Sequence, residues 1–190
     1  MFQDVPNTGG KAPCQQERQT FEIMRMSQAE SWSETALESY LEDLTTAQKQ
    51  GRNLMTEKYA RMMKSTSPTE YARIKHLLPP VTPEATGLIE EITAVILEWE
   101  EELSGKYPHL IQRGRPIRNT GDSIFVTSLE TYLRGELATY STRTLDLYRD
   151  HVKRQKSNKI NGSEITLART IKQYGYRSLE EANEKLKGTV

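Results

Sequence analysis

Two hydrogen-bonding side chains stand where apolar ones are expected. Glu136 lies among Leu129, Tyr132, Leu133, Leu137 and Tyr140, and Gln28 lies among Phe21, Met24 and Trp32. Each occupies the face of a 3.6-residue period that should be buried. Burying such groups unpaired costs about 1–3 kcal/mol for an amide and more for a carboxylate, so they need partners. Arg25 and Arg134 stand within a turn of them. Two arrangements meet the need. In one, Arg25, Gln28, Trp32, Tyr132, Arg134, Glu136 and Tyr140 line a pocket for a small polar or anionic molecule. In the other, the same groups form a core network closed on itself.

Other residues offer weaker chemistry. The stretch RGRPIRNTGD places Arg113, Arg115 and Arg118 beside Asp122, a set able to grip a carboxylate or phosphate through guanidinium forks. The same arginines could instead cap helix ends or pair with nearby glutamates. Cys14, at the expected start of a helix, is placed for a lowered thiol pKa, but none of His76, His109 and His151 stands at a spacing that implies a dyad, and an inert cysteine fits as well. Met24, Met26, Met55, Met62 and Met63 suggest an adaptable surface or, at helical spacing, core. No serine triad, metal-ligand set, phosphate loop or dinucleotide fingerprint is legible, so neither a metal nor a cofactor is expected, and whether the chain is an enzyme stays open.

The elements that must position these residues are helices. Gln15 to Trp32 reads as the first, and Ser33 caps a second that stops at Gly51. A third runs through Leu54, Met55, Tyr59 and Met62, and Ser67, Pro68 and Glu70 open a short fourth as a capping box. LPPVTP, from Leu78 to Pro83, is a hinge. Thr82 and Pro83 begin a long fifth helix over Glu84 to Ser104, and Tyr107 to Asp122 is the longest irregular stretch. Four more helices follow, centred on Leu133, Tyr148, Ile165 to Tyr174 and Leu179 to Leu186. No period-2 strand is evident, so the fold class is all-α, a bundle of about nine helices.

Sliding the chain by 108 residues aligns Phe21 to Lys64 with Leu129 to Lys172 without a gap, matching Ser33 with Ser141, Tyr40 with Tyr148, Asn53 with Asn161 and Arg61 with Arg169. Shared helical periodicity explains apolar matches better than matched Asn and Arg, which points to a tandem duplication of a helical unit. The expected organisation is a first repeat over 1–78, a second over 79–190, and one compact domain overall. The second repeat opens on the fifth helix, whereas MFQDVPN opens the first, so a leading helix is expected to be missing and an apolar groove left beside the first repeat.

Lys plus Arg and Asp plus Glu both number 26, so no basic excess favours nucleic acid. No apolar stretch approaches the roughly 20 residues of a membrane span, and the N-terminus lacks the pattern of a signal peptide. The single cysteine implies a reducing compartment, read as the cytoplasm.

The stretches GGKAPCQQERQTFEIMRMSQ, SYLEDL, GRNLMTEKYARMM, GRPI and SLETYLRGELATYS resemble a bacterial family catalogued as domain of unknown function 4125. They cover nearly the whole chain. The name carries no activity. In relatives the resemblance implies an extra N-terminal helix ending in Glu-Trp and, in some, an association with a nucleotidyltransferase-like domain that this sequence does not contain. Two functional expectations stand side by side. One is binding or transformation of a small polar or anionic molecule between the repeats, at Cys14, Arg25, Gln28, Trp32, Arg115, Tyr132, Arg134, Glu136 and Tyr140. The other is a structural or interaction module that pairs with itself or docks a partner helix.

Overall fold

The computed structural model describes residues 17–188. Among them are ten α-helices and no strand: α1 (Arg18–Ala29), α2 (Glu34–Lys49), α3 (Leu54–Thr66), α4 (Pro68–Ile74), α5 (Pro83–Lys106), the single turn α6 (Pro108–Ile111), α7 (Leu129–Leu137), α8 (Thr142–Ser157), α9 (Gly162–Gln173) and α10 (Leu179–Leu186). Apart from α6, these are the nine helices expected.

Most helices begin where a side chain satisfies an orphan amide. Ser33, Asn53, Thr82, Ser128, Ser141, Asn161 and Ser178 accept from amides two or three residues ahead, and Pro83 occupies the first position of α5. Ser67 departs from its expected role. Its side chain caps nothing, because Ser67 also terminates α3, donating its amide to the Met63 carbonyl, and its backbone leaves the extended region that a capping box needs. The fourth helix stops at Ile74 and tightens into a 3₁₀ turn over Lys75–Leu77.

The core is built on α5. Leu88, Ile89, Ile92, Ile96 and Trp99 bury against Leu137 of α7, Tyr140 in the turn that follows it, and Leu145, Tyr148 and Val152 of α8. A smaller cluster, Leu103, Tyr107, Ile171, Leu179 and Ala182, joins the end of α5 to α9 and α10. Of the methionines, Met62 is core, whereas Met24 and Met26 are exposed.

The 108-residue offset recurs in the backbone. Glu34–Lys49 shifts onto Thr142–Ser157, and the starts of α3 and α9 coincide. Gly51 and Lys159, 108 apart, both take left-handed φ, at 67° and 57°, and each lets the next amide bond back into the preceding helix, Arg52 to the Ala47 carbonyl and Ile160 to the Gln155 carbonyl. Exchanging the two sets of helices also preserves the packing: α3 lies on α7 as α9 lies on α1, and α2 meets α8. Trp32 stacks on Tyr148 with centroids 4.2 Å apart, and the offset pair, Tyr140 and Tyr40, lie 4.8 Å apart.

The α3–α7 seam is tight because Gly135 has no side chain. A Cβ placed there would lie 2.8 Å from Met62 Cγ and 3.1 Å from the Lys58 carbonyl oxygen. Gly135→Ala is expected to lower unfolding stability by about 1–2 kcal/mol in urea titration despite the gain in helix propensity. Gly87→Ala, exposed on α5 with nothing within 4 Å, should raise it by about 0.5–1 kcal/mol.

Candidate functional site

Glu136 is buried where α1, α3 and α7 meet, and its carboxylate draws four donors, from α1, from α3 and from the turn that follows α7. Arg25 on α1 approaches with both guanidinium nitrogens, Nη1 to Oε1 and Nη2 at 3.4 Å from Oε2. Lys58 on α3 donates from 2.5 Å to Oε2, and the Tyr140 hydroxyl donates to Oε1 at 3.0 Å. Arg25 also donates to Gln28 Oε1 at 3.0 Å and rests against the Met55 sulfur. The lysine is the more deeply sealed cation, its side chain 1% exposed against 25% for Arg25.

Tyr132 forms the floor under Lys58. The ammonium lies 3.1 Å from its ring centroid, and the Arg115 guanidinium lies 5.1 Å from the same ring, contacts that attract a cation to the negative face of the π system. Arg115 comes from the irregular stretch, which is fastened to the start of α7: the Leu129 and Glu130 amides donate to the Pro116 and Ile117 carbonyls. Asp122 secures the other end, accepting from Ser65 and Thr131 hydroxyls and the Ser128 amide. Burial pushes the Asp122 carboxyl up, but these hydrogen bonds hold it below the usual range. Arg115 donates to the Thr127 carbonyl at 3.1 Å and has no carboxylate partner among the described residues. It also lines a surface groove of about 480 Å³ with Gln112, Ser104, Glu101 and Arg118.

The cluster holds two cations on one carboxylate. Burial pushes Glu136 up, but Lys58 and Arg25 outweigh it and hold the carboxyl at about 2. Burial pulls Lys58 down from 10.5 to about 7, with Glu136 opposing and Arg25 and Arg115 adding to the depression. Arg25 resists its own burial through Glu136 and ends above its ordinary value. Tyr132 and Tyr140 are raised by burial and by Glu136, so both stay neutral.

Of the residues singled out from sequence, Arg25, Gln28, Glu136, Tyr132 and Tyr140 come together here, with Arg115 at the edge. Trp32 stands one layer away, packed on Tyr40, Tyr140 and Tyr148. Arg134 does not join them. Two residues before Glu136, it points to the opposite side of α7 and pairs with Glu130 at 3.1 Å and Glu90 at 2.5 Å. Arg118 pairs with Glu101 of α5, and Arg113 donates to the Leu186 carbonyl at the end of α10. Cys14 lies outside the described residues. Sequence reading missed Lys58, although a signal existed: it sits four residues from both Leu54 and Met62, on the stripe that α3 buries.

A family model described as "Protein of unknown function (DUF4125)" matches residues 1–184. The chain belongs to this family. No curated protein and no solved structure matches it. Stretches that carried the resemblance in the sequence meet in space: FEIMRMSQ supplies Arg25 and Gln28, TEKYARMM supplies Lys58, GRPI supplies Arg115, and RGELATY supplies Glu136 and Tyr140. Among the described residues no group of three or more His, Cys, Asp and Glu is placed to hold a metal, and no helix is long and apolar enough to cross a membrane.

Removing the two partners should have unequal effects. Glu136→Gln strands two buried cations and is expected to cost about 3–5 kcal/mol of stability, whereas Lys58→Met leaves the Arg25–Glu136 pair intact and costs less. Because the folded state holds the Lys58 proton more weakly than the unfolded chain, wild-type stability should gain from Lys58 as pH rises from about 7 toward 10.5. Urea titrations across that window should show this gain vanish in Lys58→Met.

Proposed function

We propose that this family member binds a small anionic molecule, of the carboxylate, sulfate or phosphate type, beside the Arg25–Lys58–Glu136 cluster. The observation that carries the reading is charge imbalance: Arg25 and Lys58 share one carboxylate in a place withdrawn from water, and Arg115 adds a third cation with no carboxylate partner among the described residues. A low-dielectric site with uncompensated positive charge attracts an anion more strongly than the same charges would in water. The partial exposure of Arg25 and the groove beside Arg115 offer approaches from outside. The chain is net neutral, so the attraction is local to this site.

Two finer points belong to the same proposal. The recurrence of caps, left-handed residues and packing at one offset supports reading the two halves as copies of one unit, and the ligand would then sit between copies. Cys14, Trp32 and Arg134 are left out of the contact set proposed for the ligand.

A second reading draws on the exposed face of α2. Leu41 is 62% and Leu44 38% exposed, whereas Val152, the residue 108 beyond Leu44, is sealed under α5 at 1%. That face suits an amphipathic helix like the one α5 lays on α8. A peptide of residues 83–106, followed by fluorescence anisotropy, is then expected to bind and to lose binding with Leu44→Glu; the absence of binding removes this reading.

For the first reading, thermal-shift assays with sulfate, phosphate and malonate should raise the melting temperature of the wild-type chain. Arg115→Ala should reduce the effect of at least one anion by tenfold in apparent affinity, a loss of about 1.4 kcal/mol. No shift with any of the three anions would sink the proposal.

A further inference from the structure

The buried cluster can reach charge balance in two ways: an anion can join Arg25, Lys58 and Glu136, or one cation can give up its proton. Arg25 is the wrong candidate, since its guanidinium is engaged through both terminal nitrogens on Glu136 and keeps its proton across the accessible range. Lys58 is the right one. Its ammonium is more deeply sealed, it touches only one oxygen of a carboxylate that Arg25 and Tyr140 already satisfy, and amines shift readily when buried.

We infer that binding of an anion at this site is coupled to uptake of one proton by Lys58, so that the protein holds the anion more tightly when Lys58 is charged. The inference rests on the anion-binding reading above and assigns its regulation. The groups that decide Lys58's charge come from every neighbour: Arg25 from α1, Glu136 and Tyr132 from α7, Tyr140 from the turn after it, Arg115 from the connecting loop, and Tyr59, 6.0 Å away by ring centroid, on α3 itself. α4 also packs on α3, but its Tyr71 faces Arg61. Of these groups, Arg25 and Arg115 oppose a charged Lys58 and Glu136 favours it; the tyrosines are neutral. An added anion tips that balance toward the ammonium. With a resting midpoint of about 7, affinity should be level below that pH and fall by up to tenfold per unit above it, until the midpoint of the occupied state is passed.

Sulfate is the probe of choice, because it does not titrate between pH 6 and 9. Calorimetry of the full chain in buffers with different ionisation heats should give little proton uptake at pH 6, rising to a maximum between the Lys58 midpoints of the free and the sulfate-bound protein. Lysine labelled with ¹³C at Cε offers a direct reading, with the Lys58 titration midpoint rising by at least one pH unit on adding sulfate. In Lys58→Met, residual binding should be weaker, independent of pH and free of proton uptake. Sulfate binding with constant affinity from pH 6 to 9 and no Lys58 shift in wild type overturns the coupling while leaving the anion site standing. No sulfate binding at any pH overturns both. If Lys58→Met fails to fold, the wild-type calorimetry and the lysine resonance decide the matter.

Discussion

Taking a carboxylate out of water costs several kcal/mol, and at Glu136 that cost is offset because α1 delivers Arg25 and α3 delivers Lys58 to its two oxygens. The consequence reaches beyond one residue. α1 and α3 lie on one side of the seam and α7 on the other, so the ion cluster bonds elements separated by 78 to 111 residues of chain. The close approach at Gly135, the fastening of the GRPI loop to the first turn of α7 and the triple grip on Asp122 all serve to keep α7 in register with it.

The recurring offset makes the asymmetry of the site informative. Shifted by 108, Arg25 falls on Leu133, Lys58 on Thr166 and Glu136 on Gln28. The carboxylate and both cations of the buried cluster thus stand at positions whose offset counterparts are uncharged, and the ion pair between α9 and the end of α1, Arg169 with Glu30, is exposed. Elsewhere the seam is held by uncharged or exposed contacts, such as the buried Ser39–Thr144 hydroxyl pair at 2.7 Å and the exposed Arg143–Glu42 ion pair. Exposed pairs of that kind contribute little. The buried ionic chemistry across the seam is concentrated at Glu136.

Much of this was legible in the residues. Helix positions followed from apolar period and caps, since Ser33, Asn53, Thr82 and Ser141 stand before amphipathic runs and local chemistry fixes where they act. Ser67 was misjudged because it serves two helices at once, a constraint no local pattern reveals. Gln28 and Glu136 stood out as polar groups on apolar stripes. Which cations reach them was a tertiary question, yet part of the answer was available: residues two apart on a helix diverge, which separates Arg134 from Glu136, while Arg25 and Gln28 at three apart share a face. Lys58 escaped notice because a long amphipathic side chain can often bring its charge back to water from an apolar stripe. Here Gly135 brings α7 too close to allow it.

The aromatic residues give the molecule an internal means of observation. The chain has two tryptophans: Trp32 stacks on Tyr148 across the seam, and Trp99 is packed in the α5–α8 core. Their indoles report on different contacts. Separation of the halves changes the surroundings of Trp32 first, whereas loss of the second-half core exposes Trp99, so two single-tryptophan variants would divide the optical signal of unfolding into a seam event and a core event.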